Sequence, residues 1–165
     1  MRQRRKNSPS GAFTLAEILV MVVILALIAA MVIPNVVSTS DLQVIAAARM
    51  IAADLQYAQS VAITSQTPVT VTFDVVHESY ALSNASGALI HPITKKAYTV
   101  DFASQEGFGR LNIVSAAFGG GAAVTFDELG AANSAGTVTL QAGSHVYQVS
   151  VAAATGKVTV TSVGS

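Results

Sequence analysis

The chain has 165 residues, of which 52% are hydrophobic and 11% are charged, and it contains no cysteine. This length suits one domain with a substantial core, and the lack of cysteine excludes a disulfide framework and a thiolate metal site. The net charge is zero, but four of the nine basic residues lie in "RQRRK" near the N-terminus. From Phe13 onward, five basic residues face nine acidic ones, a net charge of −4. That balance disfavours nucleic-acid binding, which needs a basic footprint.

The first predicted element is an apolar helix from Phe13 to Ile33, in which Glu17 is the one charged residue. About 20 helical residues cross the ~30 Å hydrocarbon core of a bilayer. The basic residues before the helix predict a cytoplasmic N-terminus, with the chain after Pro34 outside the cytoplasm. A secretory signal peptide is the alternative, but its apolar region is usually shorter. Neither a discarded peptide nor a plain anchor explains Glu17, since a carboxylate in hydrocarbon costs roughly 2.5–3.5 kcal/mol.

The segment "GAFTLAEILVMVVILALIAAMVIP" resembles the N-terminal motif of type IV pilins and type II secretion pseudopilins. In that family a prepilin peptidase removes a basic leader just before a phenylalanine, the new amine is N-methylated, and the fifth mature residue is glutamate. The resemblance implies cleavage between Ala12 and Phe13, methylation of Phe13, an assembly role for Glu17 and a helix kink at Pro34. The family usually has glycine before the cut, where this chain has Ala12. Cleavage after Gly11 would make Glu17 the sixth residue, so we expect the Ala12–Phe13 bond to be cut.

Cleavage would also supply the partner that Glu17 lacks. The new α-amino group of Phe13 is a cation beside hydrocarbon, and methylation keeps it charged. In a helical filament, Glu17 of one subunit could pair with this amine on a neighbour. Because each charge alone is costly in lipid, pairing would favour the assembled state and fix its axial register.

An amphipathic helix is predicted next, from Asp41 to Thr64. Apolar residues recur at three- and four-residue spacing, which is typical of a helix face turned to a core. These residues are Leu42, Ile45, Ala48, Ala52, Leu55, Ala58 and Ala62, and the opposite face carries Gln43, Arg49, Gln56 and Ser60. Pro68 marks the expected end of the helix.

Strand patterns follow as far as the C-terminus, beginning with the alternation in "PVTVTFD". The further candidates are "SYALS", "ALIHP", "AYTVDF", "LNIVSA", "AVTFD", "TVTLQ", "VYQVSVA" and "KVTVTS". Their spacing indicates an antiparallel meander without βαβ units. We therefore predict an α+β fold in which a long N-terminal helix packs on an antiparallel β domain, as in pilins. The predicted segments are a leader (1–12), a transmembrane half-helix (13–34), an amphipathic half-helix (35–66) and the β domain (67–165).

Two later motifs resemble the GspH/FimT group of minor pseudopilins and pilins. That group has an Arg/Gln–Ser–x–Ala–Ile element before its first strand, where this chain has Gln59-Ser60-Val61-Ala62-Ile63. It also closes with a Thr-Gly-Arg turn, where this chain has Thr155-Gly156-Lys157. Lysine in place of arginine is the one departure.

The two resemblances imply a structural minor pseudopilin of a type II secretion system. Its partners would be other pseudopilins or pilins, the prepilin peptidase and methyltransferase, the inner-membrane assembly platform and membrane lipid. It would cross the bacterial inner membrane once, with a periplasmic β domain, and would be extracted into an envelope filament. The alternative is a minor pilin similar to FimT or FimU, which primes type IV pilus assembly and takes part in DNA uptake. Lys95 and Lys96 form a basic pair that could serve such contact.

The sequence offers no pattern for catalysis. The three histidines, His77, His91 and His145, are scattered without metal-ligand spacing. The adjacent acids Asp127 and Glu128 would point apart on a strand or be solvated in a turn. We therefore expect no enzymatic activity, cofactor, metal, small-molecule substrate or nucleic-acid partner. A membrane-anchored enzyme is the least favoured class.

Overall fold

A computed structural model describes residues 13–32 and 39–164, which belong to two compact units that divide between residues 37 and 38. We call residues 1–37 the helical unit and residues 38–165 the globular unit. The predicted leader and Pro34 lie outside the described residues. The predicted continuity of one long helix through Pro34 therefore stays a prediction.

The helical unit contains one described helix, α1 (Leu15–Val32), which is 18 residues long. Its sequence, "LAEILVMVVILALIAAMV", has neither glycine nor proline and is rich in residues with good helix propensity. The predicted apolar helix of residues 13–33 thus corresponds to a helix over Leu15–Val32 in the described chain. Within the part of the chain that the structure describes, no helix meets the length and apolarity of a membrane span.

The globular unit begins with α2 (Thr39–Ser65), a helix of 27 residues. Its C-terminus is closed by Gln66, which has a φ of 51°, and by a hydrogen bond of 3.3 Å from the Thr67 N–H to the Ala62 carbonyl. This is the Schellman arrangement, in which a residue in the left-handed region satisfies the last carbonyls. Pro68 follows it, as predicted.

The buried face of α2 differs from the predicted one at its N-terminal end. Leu42 is 58% exposed, whereas Val44 and Ala47 are fully buried. A helix turns by about 100° per residue, so over the length of α2 Val44 lies on the same side as Leu55 and Leu42 lies nearly opposite. Predicted Ile45 is only partly buried. The observed buried stripe consists of Val44, Ala47, Ala48, Ile51, Ala52, Leu55, Ala58 and Ala62.

Nine strands follow α2 in the described chain and form two antiparallel sheets. Their bounds are β1 Val69–Asp74, β2 Ser79–Asn84, β3 Gly87–Ala88, β4 Thr99–Asp101, β5 Leu111–Phe118, β6 Ala123–Phe126, β7 Gly136–Ala142, β8 His145–Val151 and β9 Val158–Gly164. The first sheet has the order β3-β2-β1-β6, with β4 also paired to β2, and the second has the order β5-β7-β8-β9. Every pairing is antiparallel, so the predicted α+β class with antiparallel strands is confirmed.

The sequential meander that the strand spacing indicated is wrong. The chain leaves the first sheet after β4, forms β5 in the second, and returns so that β6 pairs with β1. In that pairing Val69 lies opposite Phe126, so the ladder joins segments far apart in sequence. The predicted strand "ALIHP" is largely absent from the described fold. Only β3 and one bridge between Ile90 and Ala97 form in this segment, because the chain turns at His91 and Pro92.

The hydrophobic core lies between α2 and the inner faces of both sheets. Helix α2 packs against β1, β5, β6, β7, β8 and β9. The largest fully buried side chains are Tyr80, Phe102, Phe126, Ile51, Leu55, Leu82, Ile113 and Leu140. The alternating burial of β1 confirms the predicted half-buried strand, since Val69, Val71 and Phe73 face inward.

Candidate assembly site

Helix α1 begins with a cap formed by Thr14. The Thr14 Oγ1 atom accepts a hydrogen bond of 3.3 Å from the Glu17 N–H, and its carbonyl accepts one of 3.2 Å from the Ile18 N–H. Thr14 is therefore the N-cap and Glu17 the third helical residue, which are the positions of a Thr-x-x-Glu capping box. The negative charge of Glu17 also lies at the positive end of the helix dipole, where it is favourable. Glu17 thus has a local role that the sequence analysis missed.

The Glu17 side chain is exposed, and no ion pair is recorded for it among the described residues. Phe13 precedes the helix and is 66% exposed. The structure therefore leaves the Glu17 carboxylate open to a cation from outside the unit. Ala12, the other residue of the predicted cleavage site, lies outside the described residues, as does Pro34.

Between Leu15 and Ile28, the apolar side chains of α1 are exposed all round the helix. Every large hydrophobic residue from Leu15 to Ile28 is about half exposed or more, and they are Leu15, Ile18, Leu19, Val20, Met21, Val22, Val23, Ile24, Leu25, Leu27 and Ile28. A helix that is hydrophobic on all sides is normally surrounded by protein or lipid. The helical unit, taken by itself, therefore requires an apolar environment that it does not supply.

In the globular unit, Gln59 joins three separate parts of the chain. Its Nε2 atom donates hydrogen bonds to the carbonyl of Gly130, at 2.6 Å, and to the carbonyl of Thr155, at 3.0 Å. Gly130 lies in the turn after β6, and Thr155 lies in the turn between β8 and β9. We call this arrangement the glutamine junction. It unites the two motifs that carried the second resemblance, although 96 residues separate Gln59 from Thr155.

Two residues of the glutamine junction are glycines that lie very close to neighbouring groups of the chain. A Cβ added to Gly156, which has a φ of +59°, would lie 2.3 Å from the Gly130 carbonyl oxygen and 2.4 Å from Gln59 Nε2. A Cβ added to Gly130, which has a φ of +85°, would lie 2.8 Å from Ile63 Cδ1. Both positions have left-handed backbone, which favours glycine. At Gly156 the nearest atom is a backbone oxygen, which leaves no room for a Cβ, whereas at Gly130 it is the end of the flexible Ile63 side chain. Glycine is thus the one residue type at position 156 that lets this turn contact α2.

A second polar connection fastens α2 to the first sheet. The Asp54 carboxylate accepts hydrogen bonds from the hydroxyls of Tyr80, at 2.6 Å, and of Tyr98, at 2.9 Å. Burial raises the pKa of both phenols above the ordinary value of about 10, and the adjacent carboxylate raises it further. Sequence reasoning missed Asp54. The sequence signal that could have indicated this role is the position of Asp54 between Ile51 and Leu55, beside the buried stripe of α2.

The side chains considered for catalysis or metal binding do not converge. His77 Nδ1 lies 2.7 Å from Asp74 Oδ2, and this hydrogen bond holds the pKa of Asp74 below its usual value. His145 lies 3.7 Å from Asp41. Asp127 Oδ1 accepts from the N–H groups of Leu129 and Ala131, within a turn. Over residues 13–32 and 39–164, no group of three ligating side chains could hold a metal ion.

One shallow groove of about 320 Å³ lies beside the start of α2. Its lining is mainly apolar, and it consists of Leu42, Gln43, Ala46, Glu106, Gly107 and Phe108. Gln43, which the sequence placed on the polar face, is partly buried, and its Oε1 atom has no hydrogen-bond partner among the described residues. Glu106 is the one carboxylate of the lining, so the groove contains no nucleophile with an adjacent base.

Taken together, these features define a class of protein. One exposed carboxylate lies in the first turn of an apolar helix, and a second helix packs on two antiparallel sheets to which polar contacts from Gln59 and Asp54 connect it. This is the construction of a pilin-type structural subunit.

Comparison with known proteins gives the particular family. A family profile described as type II transport protein GspH matches residues 47–156, about two thirds of the chain. The chain therefore belongs to the GspH family, which confirms the predicted GspH/FimT-like class. The matched segment contains all the residues of the glutamine junction, from Gln59 to Gly156, and excludes α1.

Two solved structures share the fold. The minor pseudopilin EpsH from the type 2 secretion system of Vibrio cholerae has a TM-score of 0.53 and 13% identity, over 74% of this chain and 97% of that chain. The type IV minor pilin FimU of Pseudomonas aeruginosa has a TM-score of 0.53 and 19% identity, over 72% of this chain and 87% of that chain. At these identities the likeness concerns the fold alone. No curated relative matches the sequence.

Proposed function

We propose that this chain is a minor pseudopilin of a type II secretion system, a structural subunit that joins other pseudopilins in a short envelope filament. The exposed Glu17 carboxylate at the start of an otherwise uncharged helix is the observation that carries the assembly role. Membership of the GspH family, described as a type II transport protein, supports the assignment to secretion. The EpsH structure, which is described as a minor pseudopilin, has the same fold.

The proposed maturation begins with cleavage of the Ala12–Phe13 bond by the prepilin peptidase, followed by methylation of the Phe13 amine. The helical unit would lie in the inner membrane, with the N-terminus cytoplasmic and the globular unit periplasmic, and Pro34 would kink the chain between them. The exposed apolar surface of α1 between Leu15 and Ile28 supports this placement, because lipid or neighbouring helices would cover it. The assembly platform would then move the subunit from the bilayer into the filament.

Assembly would depend on the pairing of Glu17 with the Phe13 amine of a neighbouring subunit. Both groups lie at the same end of α1, one in the first turn and one just before it. In lipid, an unpaired charge is costly, so the pair favours the filament over the isolated subunit. The favourable interaction of Glu17 with the helix dipole depends only on the position of its charge and leaves its exposed carboxylate available.

Two measurements test this proposal in the host bacterium. Intact-mass analysis of the membrane-extracted protein should give a chain that starts at methylated Phe13. An uncut chain, or one that starts at Ala12, would overturn the maturation step. Deletion of the gene should reduce export of the secreted enzymes and leave type IV pili intact, and the wild-type gene should restore export.

A minor pilin that primes type IV pilus assembly is the second candidate, favoured by the equal TM-score of the FimU structure. The same deletion strain separates the two functions. Loss of pili with normal secretion would replace the first candidate by the second. A DNA-uptake role would in addition require DNA binding by the globular unit, in which Lys95 and Lys96 are the adjacent basic residues.

A further inference from the structure

Strand β9 forms an edge of the second sheet, and one side of its backbone has no partner strand in the described chain. It is seven residues long and pairs with β8 alone. The Ala152 N–H donates to the Lys157 carbonyl at 3.0 Å, just before β9. Because facing residues of an antiparallel ladder alternate between hydrogen-bonded and non-bonded pairs, the backbone groups of Val158 and Val160 point away from β8. We call this side of β9 the open edge.

The opposite edge of the same sheet, formed by β5, is closed. The Leu111 N–H donates to the Phe108 carbonyl at 2.9 Å. The Ile113 N–H donates to the carboxylate of Glu78, which comes from the turn between β1 and β2. These hydrogen bonds occupy backbone groups that an added strand would need.

The edges of the first sheet are covered or short. On β6, the Thr125 N–H donates to Asn133 Oδ1 at 3.0 Å, and the Thr125 carbonyl accepts from the Asn133 N–H at 2.9 Å. Strands β3 and β4, at the other edge, have two and three residues. Strand β9 is longer, contains neither a charged residue nor proline, and has its bulge at Val163, near its end. Over most of its length it thus lacks the features that usually protect an edge strand from pairing.

The sequence of β9 is that of a strand paired on both sides. Residues 158–161 read Val-Thr-Val-Thr, as do residues 69–72 of β1, which lies between β2 and β6. Val71 of β1 is fully buried, whereas the corresponding Val160 of β9 is 36% exposed. The valine on the inner face of β9 therefore has less cover than its counterpart, which has a neighbouring strand on each side.

Strand β6 shows which neighbour fits this Val-Thr-Val-Thr pattern. The Phe73 N–H of β1 donates to the Ala122 carbonyl, just before β6, at 2.8 Å. By the same alternation, the valines of β1 point their backbone groups at β6, as those of β9 point theirs at the open edge. The Oγ1 atoms of Thr70 and Thr125 lie 2.8 Å apart across this pair of strands. A strand with valine and threonine in alternation thus suits both faces of the pattern.

Charge adds one further requirement for a neighbour of β9. Phe126 of β6 lies opposite Val69, so Asp127 follows at the place opposite Pro68. On β9 the place of Pro68 is taken by Lys157, which is exposed and has no ion pair among the described residues. A strand like β6, added to the open edge in the same register, would therefore place an acid beside Lys157.

We propose that the open edge of β9 adds a strand from a different protein. The strand runs antiparallel to β9, is rich in small and β-branched residues, and carries an acidic residue at its C-terminal end, beside Lys157. Its main chain bonds to Val158 and Val160, and its side chains cover Val160 and meet the Thr159 hydroxyl. A second copy of this chain fits less well, because its β1, β6 and β7 are already paired and its β9 has no acid to place beside Lys157. The site lies within the globular unit and does not rest on the choice between a secretion filament and a pilus.

Peptide binding to the full chain in detergent micelles tests the open edge. The probe is a fluorescein-labelled peptide, AAVTFDE, which has the sequence of residues 122–128 around β6. Fluorescence anisotropy should show saturable binding. The Thr125 N–H points away from β1 in the folded chain, so N-methylation of the peptide's threonine should leave binding unchanged. N-methylation of its valine and phenylalanine, whose amides face the neighbouring strand, should abolish binding.

Val160→Pro separates the open edge from any other place that takes the peptide, including exchange with β6. Proline removes the Val160 N–H, which makes no bond to β8, and proline is tolerated on the free side of an edge strand. The affinity should fall at least about tenfold, while the circular dichroism spectrum stays that of the wild type.

A charge exchange at Lys157 provides the second test. Lys157→Glu should weaken binding about two- to five-fold, and the peptide AAVTFKE should restore it. Lys95→Glu, at an exposed lysine outside β9, is the matched control and should bind the first peptide as the wild type does.

Failure of the peptide to bind would overturn the proposal, as would wild-type affinity in a folded Val160→Pro. Equal effects of the two kinds of N-methylation would exclude strand addition. Should Val160→Pro not fold, the charge exchange decides, since a peptide bound away from Lys157 would show no selective restoration by AAVTFKE. A dimer of the full chain that the peptide dissociates, seen by analytical ultracentrifugation, would assign the edge to a second copy and also overturn the proposal.

Discussion

The side-chain amide of Gln59 on α2 donates a hydrogen bond of 2.6 Å to the carbonyl of Gly130, 71 residues further along the chain. The same Nε2 atom reaches Thr155 in the turn between the last two strands. One side chain thereby ties the helix to both sheets, since the turn at Gly130 follows β6 of the first sheet and the turn at Thr155 joins two strands of the second. The family motif around Gln59 is explained by this structural role.

The globular unit is expected to fold without the helical unit. Its core is formed by α2 and the two sheets, and all the buried hydrophobic residues of the described chain belong to it. A chain that starts at residue 38 should therefore be soluble and monomeric at low concentration, with strand and helix signals by circular dichroism and a cooperative thermal transition. An aggregated or unstructured product would show that the division between residues 37 and 38 is not a folding boundary.

Gln59→Glu should destabilise this globular unit. The change replaces the donor with an acceptor, so the Gly130 and Thr155 carbonyls lose their hydrogen bonds and face a negative charge. The expected loss in the free energy of unfolding is about 1–3 kcal/mol, the range for a polar group left without its partner. Gln56→Glu, at an exposed position one turn earlier on α2, is the matched control and should change stability by less than about 0.5 kcal/mol. Urea denaturation measures both, and equal effects would refute the role of the junction.

Gly156→Ala should cost more stability than Gly143→Ala. The two glycines have nearly the same backbone, with φ of +59° and +61°, so each alanine bears similar left-handed strain, about 1–2 kcal/mol. They differ in space, because the added Cβ would lie 2.3 Å from the Gly130 oxygen at Gly156 and 3.4 Å from Ser40 at Gly143. Overpacking should add about 1–3 kcal/mol at Gly156 alone. A similar melting temperature for the two variants would contradict the close approach.

Local patterns predicted the elements of this fold better than their arrangement. Alternation found the strands, and helical spacing found α2, because both depend on neighbours in sequence. The error at Leu42 arose because a series of three- and four-residue steps that averages less than 3.6 residues drifts round the helix between Leu42 and Ala62. The pairing of β1 with β6 depends on which strands meet in three dimensions, and spacing along the chain does not contain that information.

The same contrast between local pattern and tertiary arrangement applies to the residues of the candidate site. The assembly role of Glu17 was predictable because a charge in an apolar run is anomalous in the sequence itself. Its favourable position in the first turn of α1 was not, because the start of the helix is defined only by the structure. Gln59 and Gly156 were noticed as motif residues, but their meeting depends on the tertiary fold. Asp54 could not be distinguished from a solvated acid, since its partners Tyr80 on β2 and Tyr98, just before β4, are distant in sequence.

The Asp54 connection should make the globular unit sensitive to alkaline pH. The raised pKa values of Tyr80 and Tyr98 mean that the folded state favours the neutral phenols. Their contribution to stability is fully present below pH ~10, the pKa range of an unfolded tyrosine, and is lost as pH rises further toward the folded-state values. The free energy of unfolding should therefore fall steeply above pH ~10.

Tyr80→Phe tests this alkaline sensitivity. The variant keeps the buried ring but removes the phenol, so it should start about 1–3 kcal/mol less stable at neutral pH and decline less steeply above pH ~10. Tyr147→Phe, at a partly buried tyrosine on β8 that makes no hydrogen bond to Asp54, is the control and should keep the wild-type stability at neutral pH. Urea denaturation at a series of pH values gives the slopes, and an unchanged slope in Tyr80→Phe would exclude this phenol as a cause.

Glu17→Gln should separate the two roles of the residue at the start of α1. Glutamine serves at the third helical position of a capping box as glutamate does, so the helix start and the Thr14 cap should persist. The carboxylate charge is lost, and the methylated amine of a neighbouring subunit would then lie in lipid without its partner. We expect normal membrane insertion and leader cleavage but a strong loss of co-purification with partner pseudopilins and of secretion. Thr14→Ala is the complementary control, because it removes the cap and keeps the charge, and it should retain most partner capture. Normal capture by Glu17→Gln together with failure of Thr14→Ala would mean that Glu17 acts through the helix start, and that charge pairing is not its function.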